Sequence, residues 1–122
     1  MEHNSKYEVE IKRFRHAFAN LKDKRIAIYG IGRRSATLLP GIIDYNIVGL
    51  LDRDENSIGN ELCGIKIIPL KTIEKVADII IINSDPSNYE IIYRRIKDVI
   101  SVPIYYADGR KAYIENENTD YE

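Results

Sequence analysis

Cysteine, histidine and long apolar runs are scarce in this chain, and each shortage removes a class of protein. Its single cysteine, Cys63, in 122 residues excludes an internal disulfide and suits a reducing cytoplasm. Of the two histidines, His16 has no cysteine or histidine at ligand spacing, so no metal site is expected. The most apolar run, Ile79 to Ile82, falls far short of the ~20 residues that cross a bilayer. The charged N-terminus does not read as a signal peptide, so no membrane insertion is expected and the cytoplasm is the expected location. Charge of one sign is not in excess either: 18 basic and 19 acidic residues give a net charge of -1, which supplies no basic field for nucleic acid. No segment repeats another.

What is present is an ordinary globular composition, 44% hydrophobic and 30% charged, in a length suited to one domain and too short for two. The pattern is organised around Arg25 to Arg53. Ile26 to Tyr29 form a short apolar run of the kind that makes a parallel strand covered on both faces. Gly30-Ile31-Gly32-Arg33-Arg34-Ser35 follows, a G-x-G-x-x-S that departs from the dinucleotide fingerprint only at its third small position. In that fingerprint the first glycine permits the bend, and the second lets a pyrophosphate approach the amides at the helix start. Asp52 ends the next apolar run, Ile47 to Leu51, about 20 residues on, where an acid accepts hydrogen bonds from a ribose. Strand, turn, helix, strand and acid in this order predict a Rossmann-like unit.

The rest of the chain is read in support of it. Residues 1–24 are an amphipathic helix, with Tyr7, Ile11, Phe14, Phe18 and Leu21 recurring at three- and four-residue steps from Asn4 to Leu21. Its stripe packs on its own domain, or meets a second copy or a further domain through Phe14 and Phe18, large anchors of the kind that carry interfaces, and a homodimer through this helix is expected. Residues 25–113 are the nucleotide-binding domain, and 114–122 an acidic tail. A helix from Ile31 to Ile43 should end or kink at Pro40-Gly41. Gly64 to Pro69 reads as a short edge strand whose direction the polar connection before it leaves open. A short helix spans Leu70 to Val76. Asp78 to Ile82 belongs in the sheet centre beside the first strand. Asp85 and Pro86 read as cap and first residue of a helix through Ile100, with Tyr89, Ile92, Tyr93, Ile96 and Val99 on one stripe, and Val102 to Tyr106 gives a fifth strand. The expected fold is α/β, a Rossmann-like three-layer sandwich with a mostly parallel sheet of about five strands and an extra N-terminal helix.

The candidate binding residues are Gly30, Ile31, Gly32, Arg33, Arg34, Asp52, Arg53, Asn83 and Ser84. Arg33 and Arg34 flank the turn and suit a bidentate phosphate clamp, unless they only cover a solvated helix start paired to Asp54 or Glu55. Asn83 and Ser84 end the strand next to the first, at the carboxyl edge where ligands bind in open α/β sheets; capping is the alternative. No catalytic residue is named. Tyr93 and Lys97 match Y-x-x-x-K, a hydride-transfer pattern, but Tyr93 lies on the buried stripe. Asp52-Arg53-Asp54 has the form of a metal-binding D-x-D without the chain length of a glycosyltransferase. As a calcium loop it fails, because Ser57 replaces the needed glycine and Cys63 the bidentate glutamate. Cys63 itself reads as inert, lacking a basic partner in sequence.

Across Arg25 to Tyr106 the chain resembles a family of small Rossmann-like domains described as CoA-binding-like or nucleotide-sugar-related. The matching residues are the apolar strand, Gly30-x-Gly32, Ile47 to Asp52, Ile58-Gly59, Gly64 to Ile68 and Asp78 to Ile82. The family includes N-terminal domains of nucleotide-sugar dehydratases, C-terminal domains of sugar C-methyltransferases and the NADH-sensing domain of Rex repressors. The resemblance implies a parallel sheet, a pyrophosphate site at Gly30 and Gly32, and Asp52 toward a ribose, but no single activity. The winged helix, second catalytic domain and methyl-donor domain of those relatives are not expected here. The resulting expectation is a non-catalytic module binding NAD(H) or a UDP-sugar, serving sugar-nucleotide or surface-polysaccharide metabolism. The alternatives are a small NAD-dependent oxidoreductase, part of a nucleotide-sugar-modifying enzyme, or a structural, partner-binding domain.

Overall fold

A computed structural model describes the backbone of residues 5–113 and the side chains from residue 8 onward. Tyr7 as a stripe residue, Asn4 as a helix start and the acidic tail at 114–122 lie outside what it describes.

Six strands and four α-helices run through the described residues. The strands are β1 (Ile26–Tyr29), β2 (Ile47–Leu51), β3 (Glu61–Leu62), β4 (Ile65–Lys66), β5 (Ile79–Ile82) and β6 (Ile104–Tyr106); the helices are α1 (Ser5–Ala17), α2 (Arg33–Leu38), α3 (Ile73–Val76) and α4 (Tyr89–Ile96). The main sheet has four strands in the order β2-β1-β5-β6, and every pairing in it is parallel. β1 and β5 are therefore central, which explains why Ile26–Tyr29 and Ile79–Ile82 are apolar at every position and buried throughout. Alternation of side chains across the pleat sends Ile26, Ile28, Ile79 and Ile81 into one cluster with Phe14, Phe18 and Leu38. Ala27, Tyr29, Ile80 and Ile82 enter another with Ile73, Tyr89, Ile92 and Ile96. The fold is α/β, with a parallel sheet and a core on each of its faces.

The stripe of α1 is absorbed by the first cluster. Phe14 and Phe18 are each 1% exposed, with ring centroids 4.8 Å apart and Tyr45 edge-on to Phe14. The two residues read as interface anchors thus pack inside their own chain. Arg15 clamps Asp44 with hydrogen bonds of 2.8 and 2.7 Å, which ties α1 to the segment before β2. Arg25 and Asp78, at the starts of the central strands, are joined by the Arg25 backbone N–H at 2.8 Å and by its guanidinium at 2.8 Å.

Several boundaries differ from the sequence reading. The second α-helix starts only at Arg33 and ends at Leu38, at Pro40-Gly41 as expected, where it passes into a 3-10 turn, Leu39–Ile42, whose first residues tolerate the amide that proline lacks. The edge strand expected from Gly64 to Pro69 does not join the main sheet, so the sheet has four strands rather than about five. Its first half turns back as β4, antiparallel to β3. The second half reaches β2 only through one parallel bridge, Leu50 to Ile67, and an Ile68 N–H bond to the Leu50 carbonyl at 2.9 Å. Pro69 then ends the ladder, having no N–H to donate. The last helix is a 3-10 turn, Pro86–Asn88, running into α4. It stops short of Val99, which is 62% exposed rather than part of the buried stripe.

Candidate functional site

Because the four strands are parallel, their carboxyl ends share one edge, and each chemically distinctive loop leaves from it. Backbone bonds hold these loops side by side: Gly30 N–H donates to Leu51 O at 2.9 Å, Asn83 N–H to Tyr29 O at 2.9 Å and Ala107 N–H to Ile82 O at 2.9 Å. The chain moves outward from β1 to β2, then returns to the other side of β1 for β5. The loops after β1 and β5 therefore flank the point where the strand order reverses, the place where open α/β sheets leave a crevice.

The two glycines of the turn differ in kind. Gly30 has φ +129°, and a Cβ there would fall on the carbonyl oxygen of Asn83, so the fold itself requires this glycine. Gly32 caps α2 with φ -84°, a value open to any residue, and nothing lies within 4 Å of where its Cβ would be. The missing side chain of Gly32 opens space that the protein does not use. The third small position, Ser35, is fully buried, and its hydroxyl accepts a 3.1 Å hydrogen bond from Asn83 Nδ2. Serine therefore replaces glycine there in order to bolt α2 to the loop after β5.

The polar residues of the edge are partly committed. Asp52 Oδ2 accepts from the Ser57 hydroxyl at 3.1 Å and the Asp54 N–H at 3.3 Å; among the described residues no donor reaches Oδ1. Ser84 donates to the Asp85 carbonyl at 3.0 Å. Asp85 caps the next turn by accepting from Ser87 N–H at 3.0 Å and its hydroxyl at 2.7 Å, which with Arg34 holds its carboxyl below the usual range. Arg34 lies 3.6 Å from both Glu10 and Asp85, not beside Asp54 or Glu55. Arg33 has no ion-pair partner among the described residues. Lys97 donates to Asp98 at 3.1 Å, while Tyr93 packs against the core.

The named residues are not gathered into one pocket. Asp52 and Arg53 line a cleft of about 510 Å³ with an apolar floor that includes Tyr29, Leu51 and Ile68, and with Lys71 and Arg95 at its rim. Arg34 and Asn83 line a smaller cleft of about 170 Å³, with Glu10, Arg13, Tyr89 and Asp108. Gly30, Ile31 and Gly32 line neither. Of these lining residues, Tyr89 was legible only as part of a buried stripe, and nothing in local sequence singles out Glu10, Arg13, Lys71, Arg95 or Asp108. Tyr89 stacks on Tyr106 with centroids 4.5 Å apart and planes 3° from parallel, and the Arg110 guanidinium lies 5.2 Å from the Tyr106 ring centre. Burial and the Asp108 carboxylate push the Tyr89 phenol up, against the opposing pull of Arg34, Arg110 and Arg13.

Among the described residues no group of three His, Cys, Asp or Glu side chains is placed to hold a metal ion. No described helix is long and apolar enough to cross a membrane. The fold and this edge define an α/β domain with a parallel sheet and its distinctive residues on the loops at the carboxyl edge. A family described as C2185-like, N-terminal, has a model that matches residues 22–106, and the chain belongs to that family. No curated protein and no solved structure matches it.

Proposed function

We propose that the chain is a non-catalytic, Rossmann-like three-layer module that binds a nucleotide, NAD(H) or a UDP-sugar, in cytoplasmic sugar-nucleotide or surface-polysaccharide metabolism. The observation that carries this reading is the contrast between the two glycines: Gly30 is demanded by the fold, whereas Gly32 is not. Neither backbone angle nor packing keeps a side chain from Gly32, only a modest capping preference favours glycine there, and a pyrophosphate in the open space would require it. Asp52 supports the reading, since one of its oxygens is open beside a cleft of about 510 Å³, within the range of small-molecule sites. Its floor suits a base, its carboxylate a ribose hydroxyl, and Arg53 offers a cation. An acid at that position favours an unphosphorylated ribose, so NAD(H) or a UDP-sugar should bind in preference to NADP. Resemblance to the CoA-binding-like and nucleotide-sugar-related domains points the same way.

The test is a thermal-shift screen with NAD, NADH, NADP, CoA and UDP-sugars. Ligand at ~100 times its dissociation constant adds ~2.7 kcal/mol, roughly a 10 °C rise for a chain of this size. Gly32→Val should abolish the rise and Asp52→Ala reduce it. One observation favours a structural, partner-binding domain instead: Asn83, Ser84 and Asp85 spend their side chains on internal bonds. A flat profile across all the ligands, with the fold intact, would leave that second reading standing.

A further inference from the structure

Neither Gly32 nor Asp52 lines the smaller cleft, and Glu10, Arg13 and Phe14 of α1 build part of its wall. Its volume of about 170 Å³ is close to that of an engineered cavity of roughly 150 Å³ that takes up benzene. It therefore has room for one six-membered ring, with a phosphoryl substituent left at its mouth between the exposed Arg13 and Arg34, and not for a dinucleotide. Two guanidinium groups face it. Arg34 is 3.6 Å from Glu10 Oε2 and from Asp85 Oδ2, near enough for attraction and too far for a hydrogen bond. Arg13 is exposed and has neither a hydrogen bond nor an ion pair among the described residues. Both arginines thus bring to one cleft planar donors that make no hydrogen bond among the described residues, Arg34 keeping its two longer ion pairs, and this is the arrangement that holds a phosphoryl group from two sides. Both arginines and Tyr89 line this one cleft.

The acids in the cleft narrow the choice further. Asp108 spends both oxygens on Arg110, accepting from its N–H at 3.0 Å and from Nε at 2.8 Å. Glu10 accepts no hydrogen bond among the described residues, its one charge contact being Arg34 at 3.6 Å, which leaves its oxygens able to accept from a ligand. A bare phosphate or a pyrophosphate gains from the cations but is repelled by Glu10, whereas ring hydroxyls can donate to that carboxylate. Glu10 and Arg13 precede the segment that the family shares, residues 22–106. We infer that this cleft binds a phosphorylated monosaccharide, its phosphoryl group between Arg13 and Arg34 and its ring hydroxyls on Glu10. The inference does not require a nucleotide at Gly32.

Calorimetric titration of the full chain with glucose 1-phosphate and glucose 6-phosphate, without nucleotide, tests it. At least one should bind at millimolar concentration or below, with inorganic phosphate and unphosphorylated glucose each at least about ten-fold weaker. Arg13→Ala and Glu10→Gln should each weaken binding about ten-fold, while Arg13→Lys should restore part of it. Neither arginine variant removes an internal bond, so melting curves should stay unchanged and a loss of binding reads as a lost contact. The inference is overturned if no hexose phosphate binds, if inorganic phosphate binds as tightly, if glutamate competes better than either sugar phosphate, or if binding ignores Arg13 and Glu10. Because NADH and UDP-sugars are titrated separately, failure here and failure of the nucleotide reading are distinguishable.

Discussion

Replacing Gly30 and Gly32 in turn by alanine should produce a large loss of stability at the first and almost none at the second from the same chemical change. At Gly30 the new Cβ must sit at φ +129°, outside the regions that L-residues occupy, and against the Asn83 carbonyl. Backbone strain of this kind costs ~1–3 kcal/mol, and forcing a methyl group into a filled position costs ~1–3 kcal/mol more. Together they remove ~2–6 kcal/mol of a stability that is typically ~5–15 kcal/mol, a fall of about 8–24 °C in melting temperature at ~4 °C per kcal/mol. At Gly32 the φ is -84° and the space is empty. Alanine is a poorer helix cap than glycine, but it lowers the entropy of the unfolded chain by a similar ~0.4–1 kcal/mol. The two effects offset, and the melting temperature should stay within a few degrees. Far-UV circular dichroism melts of both variants are the assay. Equal losses at the two positions, or a Gly30→Ala melt within about 2 °C of the parent, would refute the division between a glycine the fold needs and one it does not.

Three further outcomes follow from named contacts. The Arg25 guanidinium and backbone N–H hold the Asp78 carboxyl down at about 2, and Arg15 and Lys22 hold Asp44 well below the usual carboxylate range. Both acids bind protons more weakly folded than unfolded, so their contribution is complete above about pH 4 and lost as pH falls toward 2. Urea midpoints at about pH 7 and about pH 3 should show a smaller acid loss in the Asp44→Asn/Asp78→Asn protein than in the parent; equal losses would count against these pairs. Ser35→Ala strands the buried Asn83 amide and should cost about 1–3 kcal/mol in urea unfolding, a cost that vanishes if the amide turns to another acceptor. Cys63 and Gly64, with φ +54° and +81°, form a two-residue turn between β3 and β4 that asparagine suits better than cysteine. Cys63→Asn should therefore raise stability by up to about 1 kcal/mol, read as a melt shifted upward by about 4 °C.

Local patterns decided much of this molecule. Unbroken apolar runs at Ile26–Tyr29 and Ile79–Ile82 place those strands at the centre, because only a strand covered on both faces loses nothing by having no polar side. Asp85 before Pro86 marks a helix entry, since a capping carboxylate and a residue without an N–H answer the same shortage of acceptors. Gly30, read as the glycine of a tight bend, is confirmed by its backbone angle. Other features depend on distances that no local pattern records. Whether Gly64 to Pro69 joins the sheet depends on β4 finding β3 first, a contest between short-range pairing and one long-range bridge. The α1 stripe is the same sequence whether it meets a second copy or its own sheet, and only the packing of Phe14 and Phe18 shows which space it fills. The division of the edge into separate clefts is likewise tertiary. Glu10 on α1, Arg34 on α2 and Asp108 after β6 become neighbours because parallel strands carry their loops to one edge and α1 folds over it. Sequence determined the strands, the turn and the acids at their ends; the packing of helices against the sheet decided which of those groups face one another.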